Sequence, residues 1–327
     1  MAEEKRTVSQ IIIEKFLKEV EETGTLPWQR PYACYNAFNY FTGQTYRGIN
    51  RLMLQFGEYL TANQINQYNK EKGEDFRFQK GIKWYPVVFF NHEVKESSLK
   101  VVTEKFPDAT IEHKADEKVY IGREGAWTYY TDKGKIYKSR NILKYSNVAE
   151  RKWFKNSKGE LLPSKIETGE VEITLSDAKE VLYGYIEREG IQLDEGSTGI
   201  PCYIPKLDVI ELNKHSVSQE AYFSTAFHEC GHSTGAKNRL NREGIVHAGE
   251  KGSHVYAVEE CIAEICAHLC CAECGITEFT TSGTMEYQNN IAYVQAWKKH
   301  IKDFDKEFIY ICSQADKAFN FIMGMDI

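Results

Sequence analysis

No apolar stretch among these 327 residues approaches the roughly 20 needed to cross a bilayer as a helix. Ile11-Ile12-Ile13 and Val87-Val88-Phe89-Phe90 are the longest notable runs, so no membrane span is expected. The opening Met1-Ala2-Glu3-Glu4-Lys5-Arg6 is too acidic for a secretory signal peptide. Nine cysteines lack the even count and regular spacing of a disulfide framework, which predicts reduced thiols in a cytoplasmic protein. Missing too is any overall excess of basic charge: the net charge is −6, which taken whole argues against a nucleic-acid partner. Divided near residue 155, the balance changes. Residues 1–155 carry 26 Lys and Arg against 20 Asp and Glu, a net +6, while 156–327 carry 15 against 27, a net −12. The basic half also holds 26 of the 42 aromatic residues, among them Trp28, Tyr32, Tyr35, Phe38, Tyr40, Phe41 and Tyr46. Rings interleaved with cations suit single-stranded nucleic acid, whose bases are open to stacking, although a core absorbs rings as well.

What the chain does contain is His228-Glu229-Cys230-Gly231-His232, the His-Glu-x-x-His pattern of zinc hydrolases. On a helix, residues four apart share a face, so both imidazoles reach one ion. Glu229 lies about 100° around from His228, placed to act as general base on water. Cys230 points about 200° away and reads as packing. Ser216-Val217-Ser218-Gln219 offers a helix start and Gly235 a stop, with Ala221, Tyr222, Phe223, Ala226 and Phe227 to bury the opposite side. A catalytic zinc needs a third protein ligand. The metzincin pattern would put a histidine where Asn238 stands, and an amide is a poor zinc ligand, so that source is excluded.

A later helix, Tyr256 to Cys274, is apolar nearly all round, yet carries Glu260 and Glu264 one turn apart. Burying carboxylates without partners is unfavourable, which implies a metal or a cation beside them. Glu260 is read as the third ligand and Glu264 as orienting a histidine through its other ring nitrogen, with Glu259 and Glu264 open as alternative ligands. The spacing resembles the Glu-x-x-x-Asp arrangement of gluzincins. Cys266, Cys270 and Cys274 could hold a second zinc, though small buried hydrophobes are the blander reading. Two imidazoles and one carboxylate leave a Zn2+ ion net positive, able to polarise a carbonyl and acidify water, so hydrolysis of a peptide bond is expected. Upstream, 202–212 reads as strand, turn near Pro205-Lys206, and strand; by analogy with zincin folds, an edge strand here would pair with extended substrate.

Coarse patterning predicts an α+β chain. Ser9 to Thr23 is an amphipathic helix, with Ile12, Ile13, Phe16, Leu17 and Val20 on one side. Pro27-Trp28-Gln29-Arg30-Pro31 cannot be helical. Asn36 to Asn50 reads as loop, Ile49 to Tyr59 as helix, and Thr61 caps a helix to Lys72. Trp84 to Phe90, Val119 to Ile121 and Ala126 to Tyr130 read as strands. Asn156–Glu160 and Glu167–Glu170 read as linker, and Ser176 caps a helix over 177–189. The expected division is 1–155, a mixed α/β part, and 156–327, a mainly helical part.

The combination resembles the ArdC-like antirestriction proteins, which join an N-terminal single-strand-DNA-binding domain to a zincin-like metallopeptidase domain. In the first half the resemblance rests on Gly24-Thr25-Leu26-Pro27-Trp28, Thr42-Gly43-Gln44-Thr45-Tyr46-Arg47-Gly48-Ile49-Asn50 and Leu60-Thr61-Ala62-Asn63-Gln64. In the second it rests on His228 to His232, Asn238-Arg239-Leu240, Tyr256 to Glu264, and Asn290 to Trp297. The family's basic Lys-Gly-Glu-Lys-Gly stretch stands here as Gln79-Lys80-Gly81-Ile82-Lys83, and 93–118 matches nothing in it. The resemblance implies a mobile-element protein that binds incoming single-stranded DNA and shields it from restriction. Arg30, Tyr46, Arg47, Lys80 and Lys83 are the candidate DNA contacts. The expected whole is a DNA-binding protector whose zinc site, His228, His232 and Glu260 with Glu229 as base, also cleaves an unidentified protein. The alternatives are a protector with a purely structural zinc, or a peptidase with no DNA role.

Overall fold

The computed structural model describes residues 6–23, 37–97, 112–113, 119–124, 127–132, 135–166, 175–213, 218–247, 253–276, 297–299, 301 and 303–326. By contacts the chain divides into two compact units, one of residues 1–85 with 147–327 and one of residues 86–146.

The larger unit is α+β. Its first helix, α1 (Val8–Thr23), buries Ile12, Ile13, Phe16 and Val20 on one stripe, the face expected from the 3.6-residue period. Strand β1 (Ala37–Asn39) pairs in parallel with β2 (Gly57–Thr61). Between them lies a single short helix, α2 (Ile49–Met53). The helix expected to run on to Tyr59 therefore stops early. Residues 57–61 are held in a sheet, where Tyr59 and Leu60 are fully buried and tertiary pairing overrides local propensity. Thr61 then caps α3 (Ala62–Lys72) as expected: its hydroxyl accepts from Gln64 N at 3.1 Å while Gln64 Oε1 accepts from Thr61 N at 2.8 Å.

Short β3 (Arg77–Phe78) follows, and then β4 (Tyr85–Ser97), which carries the chain into the smaller unit. That unit is an antiparallel series: β5 (Glu112–His113) on β6 (Val119–Glu124), β6 on β7 (Trp127–Asp132), and β7 on β8 (Lys135–Glu150). The last residues of β8 return to the larger unit and pair with β2. Next, β9 (Phe154–Lys155) pairs with β3. Asn156 to Glu160, read from composition as linker, form a tight turn instead: Asn156 N bonds Glu160 O at 3.0 Å, and the Asn156 side chain accepts from Lys158 N and Glu160 N. Leu162 beyond it is fully buried in one cluster with Tyr40, Leu60, Phe76 and Phe154, so packing of the first part continues past residue 155.

The second part is mainly helical. Helix α4 (Leu175–Glu189) precedes a three-stranded sheet of order β10 (Gln192–Asp194), β12 (Val209–Glu211), β11 (Cys202–Ile204). The expected strand–turn–strand over 202–212 is present, and β11 is its edge strand. Helices α5 (Gln219–Ser233), α6 (Glu243–Val246), α7 (His254–Glu273) and α8 (Phe304–Ile322) follow among the described residues. Ser218 caps α5, its hydroxyl accepting from Ala221 N at 3.2 Å, and Ser253 caps α7 in the same way through Tyr256 N.

Where α5 crosses α7, Gly231 faces Ala263; a Cβ there would meet Ala263 Cα at 3.1 Å and its carbonyl oxygen at 3.2 Å. Absence of a side chain at Gly231 thus sets how closely the two helices approach. Cys261, Cys266, Cys270 and Cys271 fill the buried side of α7, and the eight cysteines among the described residues are all free thiols. Among the described residues no helix is long and apolar enough to cross a membrane.

Candidate metal centre

One turn of α5 separates His228 from His232, and their Nε2 atoms face each other at 3.0 Å with the rings nearly perpendicular. Across the helix crossing, Glu260 of α7 brings Oε2 to 3.6 Å from His228 Nε2 and Oε1 to 3.6 Å from His232 Nε2. Ligands about 2.0–2.1 Å from a tetrahedral zinc stand about 3.3 Å from each other, so the triangle has the dimensions of three first ligands. The triangle is not wholly enclosed: the Glu260 side chain is 36% exposed, while His228 is buried.

The outer ring nitrogens decide what the inner ones offer. His228 Nδ1 lies 3.3 Å from Glu264 Oε2, and His232 Nδ1 lies 3.4 Å from Glu259 Oε1. Protons on the two Nδ1 atoms, which face these carboxylates, would leave both Nε2 lone pairs aimed at one point beside a third carboxylate, although His228 Nδ1 itself makes no well-aligned hydrogen bond. Only a cation makes that arrangement favourable. The donor set therefore fits a divalent metal. Without one the cluster competes for protons. Burial works against a charged His228, but bonds to Glu260 and Glu264 and the charge of Glu229 outweigh it and raise its pKa. Burial likewise works against ionised Glu260, yet the bond to His228 and the charge of both imidazoles hold it down at about 2.

Two buried groups support the ligands from behind. Arg242 grips Glu259 with two bonds, Nη2 to Oε1 at 2.6 Å and Nε to Oε2 at 2.9 Å. It also donates to Thr234 Oγ1 and to the Gly231 carbonyl, both at 2.7 Å. Burial opposes the charge on Glu259, but Arg242 prevails and lowers its pKa. Glu264 contacts His268 as well as His228, with His268 Nδ1 3.6 Å from its Oε1. The sequence marks Glu264 as the orienting residue and Glu259 only as an alternative ligand; the structure puts one carboxylate behind each histidine. Nothing local marks Arg242, because its partner lies 17 residues away in sequence.

Glu229 is buried, and its Oε2 accepts from the backbone N–H of Tyr203 on edge strand β11 at 2.7 Å. Tyr256 stands one turn before Glu260 on α7; burial first and the Glu260 charge second push its pKa to about 12. Among the described residues, His228, His232 and Glu260 are the group of three donors close enough for one ion. The second zinc considered at Cys266, Cys270 and Cys274 does not assemble: these thiols pack in the core, where burial raises the pKa of Cys270 and Cys274.

The candidate DNA contacts are scattered by comparison. Arg30 lies outside the described residues, as do Ser216, Glu167–Glu170 and Asn290–Ala296. Tyr46 is half-buried, edge-on to Tyr59 at 6.4 Å, and its hydroxyl accepts from Asn39 Nδ2 at 3.4 Å. Arg47 is exposed but bonds the Asp326 carbonyl at 3.2 Å, and neighbouring Arg51 is buried in an ion pair with Asp316 of α8 at 3.0 Å. This particular-looking segment therefore has a docking role whatever else it does. Lys80 and Lys83 are exposed, with Lys83 Nζ 4.8 Å from the Tyr85 ring. Sequence reading missed Phe78, 54% exposed beside exposed Arg77 and edge-on to Trp84 at 5.8 Å. Its signal was an aromatic at the tip of a basic two-residue strand, too short to recognise by alternation.

Residues 182–315 match the family described as zincin-like metallopeptidase, so the second part is a zincin-like domain. Residues 5–148 match the N-terminal domain of the anti-restriction factor ArdC, so the chain joins an ArdC-type N-terminal domain to a zincin-like domain in that order. Solved structures show the same fold. The metal-free crystal structure of antirestriction ArdC protein from the R388 plasmid has a TM-score of 0.57 at 22% identity, covering 98% of this chain and 100% of that one. The Mn(II)-bound structure has a TM-score of 0.60 at 21% identity, covering 98% of each. Two Escherichia coli proteins named DNA primase TraC are 25% and 24% identical over 99% and 100% of this chain. The chain spans only 20% and 28% of their lengths. An uncharacterized protein, y4eC of Sinorhizobium fredii, is 26% identical over 39% of the chain and 39% of its own length.

Proposed function

We propose that this protein binds single-stranded DNA through its N-terminal part and hydrolyses a peptide bond at a single zinc ion held by His228, His232 and Glu260. The observation that carries the reading is the convergence of two anchored imidazoles and a carboxylate on one point, with a further carboxylate, Glu229, at its edge. A divalent ion held there would polarise the scissile carbonyl and make water acidic near neutral pH. The Mn(II)-bound state of R388 ArdC supports a divalent occupant, and nitrogen-rich donors favour zinc. Glu229 takes a proton from the attacking water and hands it to the leaving amine; Tyr203 N–H holds one of its oxygens and leaves the other for that work. Edge strand β11, whose Tyr203 N–H is taken by Glu229, lies beside it along the side where an extended substrate would run.

For DNA, the exposed Arg77, Phe78, Lys80 and Lys83 supply cations around a ring available for stacking. Relatives named DNA primases support a nucleic-acid setting. Single-strand binding and peptide hydrolysis together describe a protector of incoming mobile DNA that removes a protein, working in the cytoplasm.

Replacing Glu229 with Gln tests the catalytic half. Metal content is expected to stay at one ion per chain while hydrolysis of a casein reporter falls roughly 10²–10⁴-fold. Equal hydrolysis by wild type and Glu229→Gln would leave the metal a structural role only.

A further inference from the structure

The position of Glu229 depends on strand β11, and that strand is held by a clamp made of residues that are not metal ligands. The antiparallel pair of Tyr203 with Ile210 turns the Tyr203 N–H away from β12 and onto Glu229 Oε2, 2.7 Å away. The same tyrosine donates its hydroxyl to Asp208 Oδ1 at 2.8 Å, in the turn between β11 and β12. Asp208 in turn accepts two parallel bonds from Arg239, Nη1 to Oδ1 and Nη2 to Oδ2, both at 2.8 Å. Fork-on-carboxylate pairing of this kind fixes direction as well as distance.

Arg239 is itself immobilised. Its side chain is fully buried, Nη1 also donates to the Ser233 carbonyl at the end of α5 at 3.1 Å, and Nε donates to Glu189 of α4 at 3.3 Å. Asp208 sits at φ +54°, a left-handed conformation that costs a non-glycine residue energy and persists where the surroundings over-determine it. One end of the clamp is thus the helix that carries Glu229, and the other is the strand that orients it.

We propose that Asp208 and Arg239 are positioning residues: they fasten β11 to α5 so that the Tyr203 N–H holds the Glu229 carboxylate in its working orientation. The proposal rests on the peptidase reading for its consequence, but not for its geometry. Misplacement of a catalytic group by about 1 Å can cost about 10²-fold in rate, so a clamp remote from the metal is worth that much.

The test follows hydrogen exchange of the Tyr203 amide in the full chain, labelled with 15N-tyrosine, alongside cleavage of a fluorescent casein. Asp208→Asn suits it because asparagine tolerates the left-handed backbone and the fold is retained. Exchange at Tyr203 is expected to quicken at least about tenfold in Asp208→Asn, as it does in Glu229→Ala, with metal stoichiometry unchanged. Casein turnover by Asp208→Asn is expected to show kcat lowered about 10–100-fold at a KM within about twofold of wild type. Tyr203→Phe, which keeps the N–H and loses only the hydroxyl bond, should fall between. Unchanged Tyr203 exchange in Asp208→Asn or in Glu229→Ala would overturn the clamp, as would normal turnover by Asp208→Asn where Glu229→Gln is inactive. If Glu229→Gln cleaves like wild type, the peptidase reading fails instead, and amide exchange alone judges the clamp.

Discussion

The side chains that decide this site are as much those behind the histidines as the histidines themselves. Arg242 and Glu259 are both buried, their side chains 2% and 5% exposed, so each is tolerable only while the other is present. Arg242→Met is expected to destabilise the fold by about 3–5 kcal/mol in urea unfolding, because it strands a carboxylate. Adding Glu259→Gln should recover part of that loss; a double variant no more stable than the single would contradict the pairing. Glu259→Gln alone keeps the shape but leaves buried Arg242 without its counter-charge, so it costs stability as well as weakening the hold on His232 Nδ1. Metal affinity is expected to fall about 10–100-fold, read by competition with a chelator.

A pH effect belongs at this scale too. Hydrogen bonds from Arg239, the largest effect, with help from the Tyr203 hydroxyl and the Arg239 charge, outweigh burial and depress the pKa of Asp208 below its ordinary 3.8. A depressed carboxylate contributes stability that is present above the unfolded pKa and lost as pH falls through the folded one. Asp208→Asn should therefore flatten the acid side of a stability profile below about pH 4, and leave its shape near neutrality unchanged.

At the scale of elements, the site is made by one helix crossing. Helix α5 brings two imidazoles and Glu229, and α7 brings three carboxylates, but they meet only because Gly231 lets the backbones approach Ala263. Gly→Ala within a helix ordinarily gains about 1 kcal/mol from propensity. Here Gly231→Ala is expected to lose about 1–3 kcal/mol and to weaken metal binding, since the new methyl must push α5 from α7. A stabilised variant with unchanged metal affinity would show that the crossing has slack.

Much of this was legible in the residues. The spacing of His228 and His232 and the acids set into an apolar helix indicated which groups would meet. Thr61 and the amphipathic stripe of α1 marked an element start and a face correctly, whereas α5 is capped by Ser218, two residues beyond the Ser216 start of the capping box read over 216–219. Long-range facts were hidden. Arg239 and Arg242 look like solvated charges on a loop until Asp208 and Glu259 are brought to them. Ile49 to Tyr59 reads as one helix because nothing within it shows that 57–61 will pair with β1 and β8. Asn156 to Glu160 has linker composition, yet the buried Leu162 beside it ties it into the core.

At the scale of the whole molecule, the net charges of +6 and −12 in the two halves give one chain two electrostatic characters. Cations at the first half attract phosphates and release counterions on binding, so affinity for single-stranded DNA should fall with rising salt. Replacing Lys80 and Lys83 with Gln should reduce the slope of log affinity against log salt by about 0.7 for each phosphate no longer neutralised. Phe78→Ala should instead weaken binding by about 1–3 kcal/mol with little change in that slope. Salt-independent binding would remove the electrostatic part of the proposal. The TraC relatives are several times longer than this chain, and the region similar to it is a fraction of each.

The proposed chemistry depends on one ion in one place, and X-ray absorption at the zinc edge of the zinc-loaded chain tests that most directly. The expected spectrum shows one ion per chain with two imidazoles and a carboxylate at about 2.0–2.2 Å, and loss of the carboxylate contribution in Glu260→Gln. Sulfur neighbours at about 2.3 Å, or a spectrum unaltered by Glu260→Gln, would contradict it.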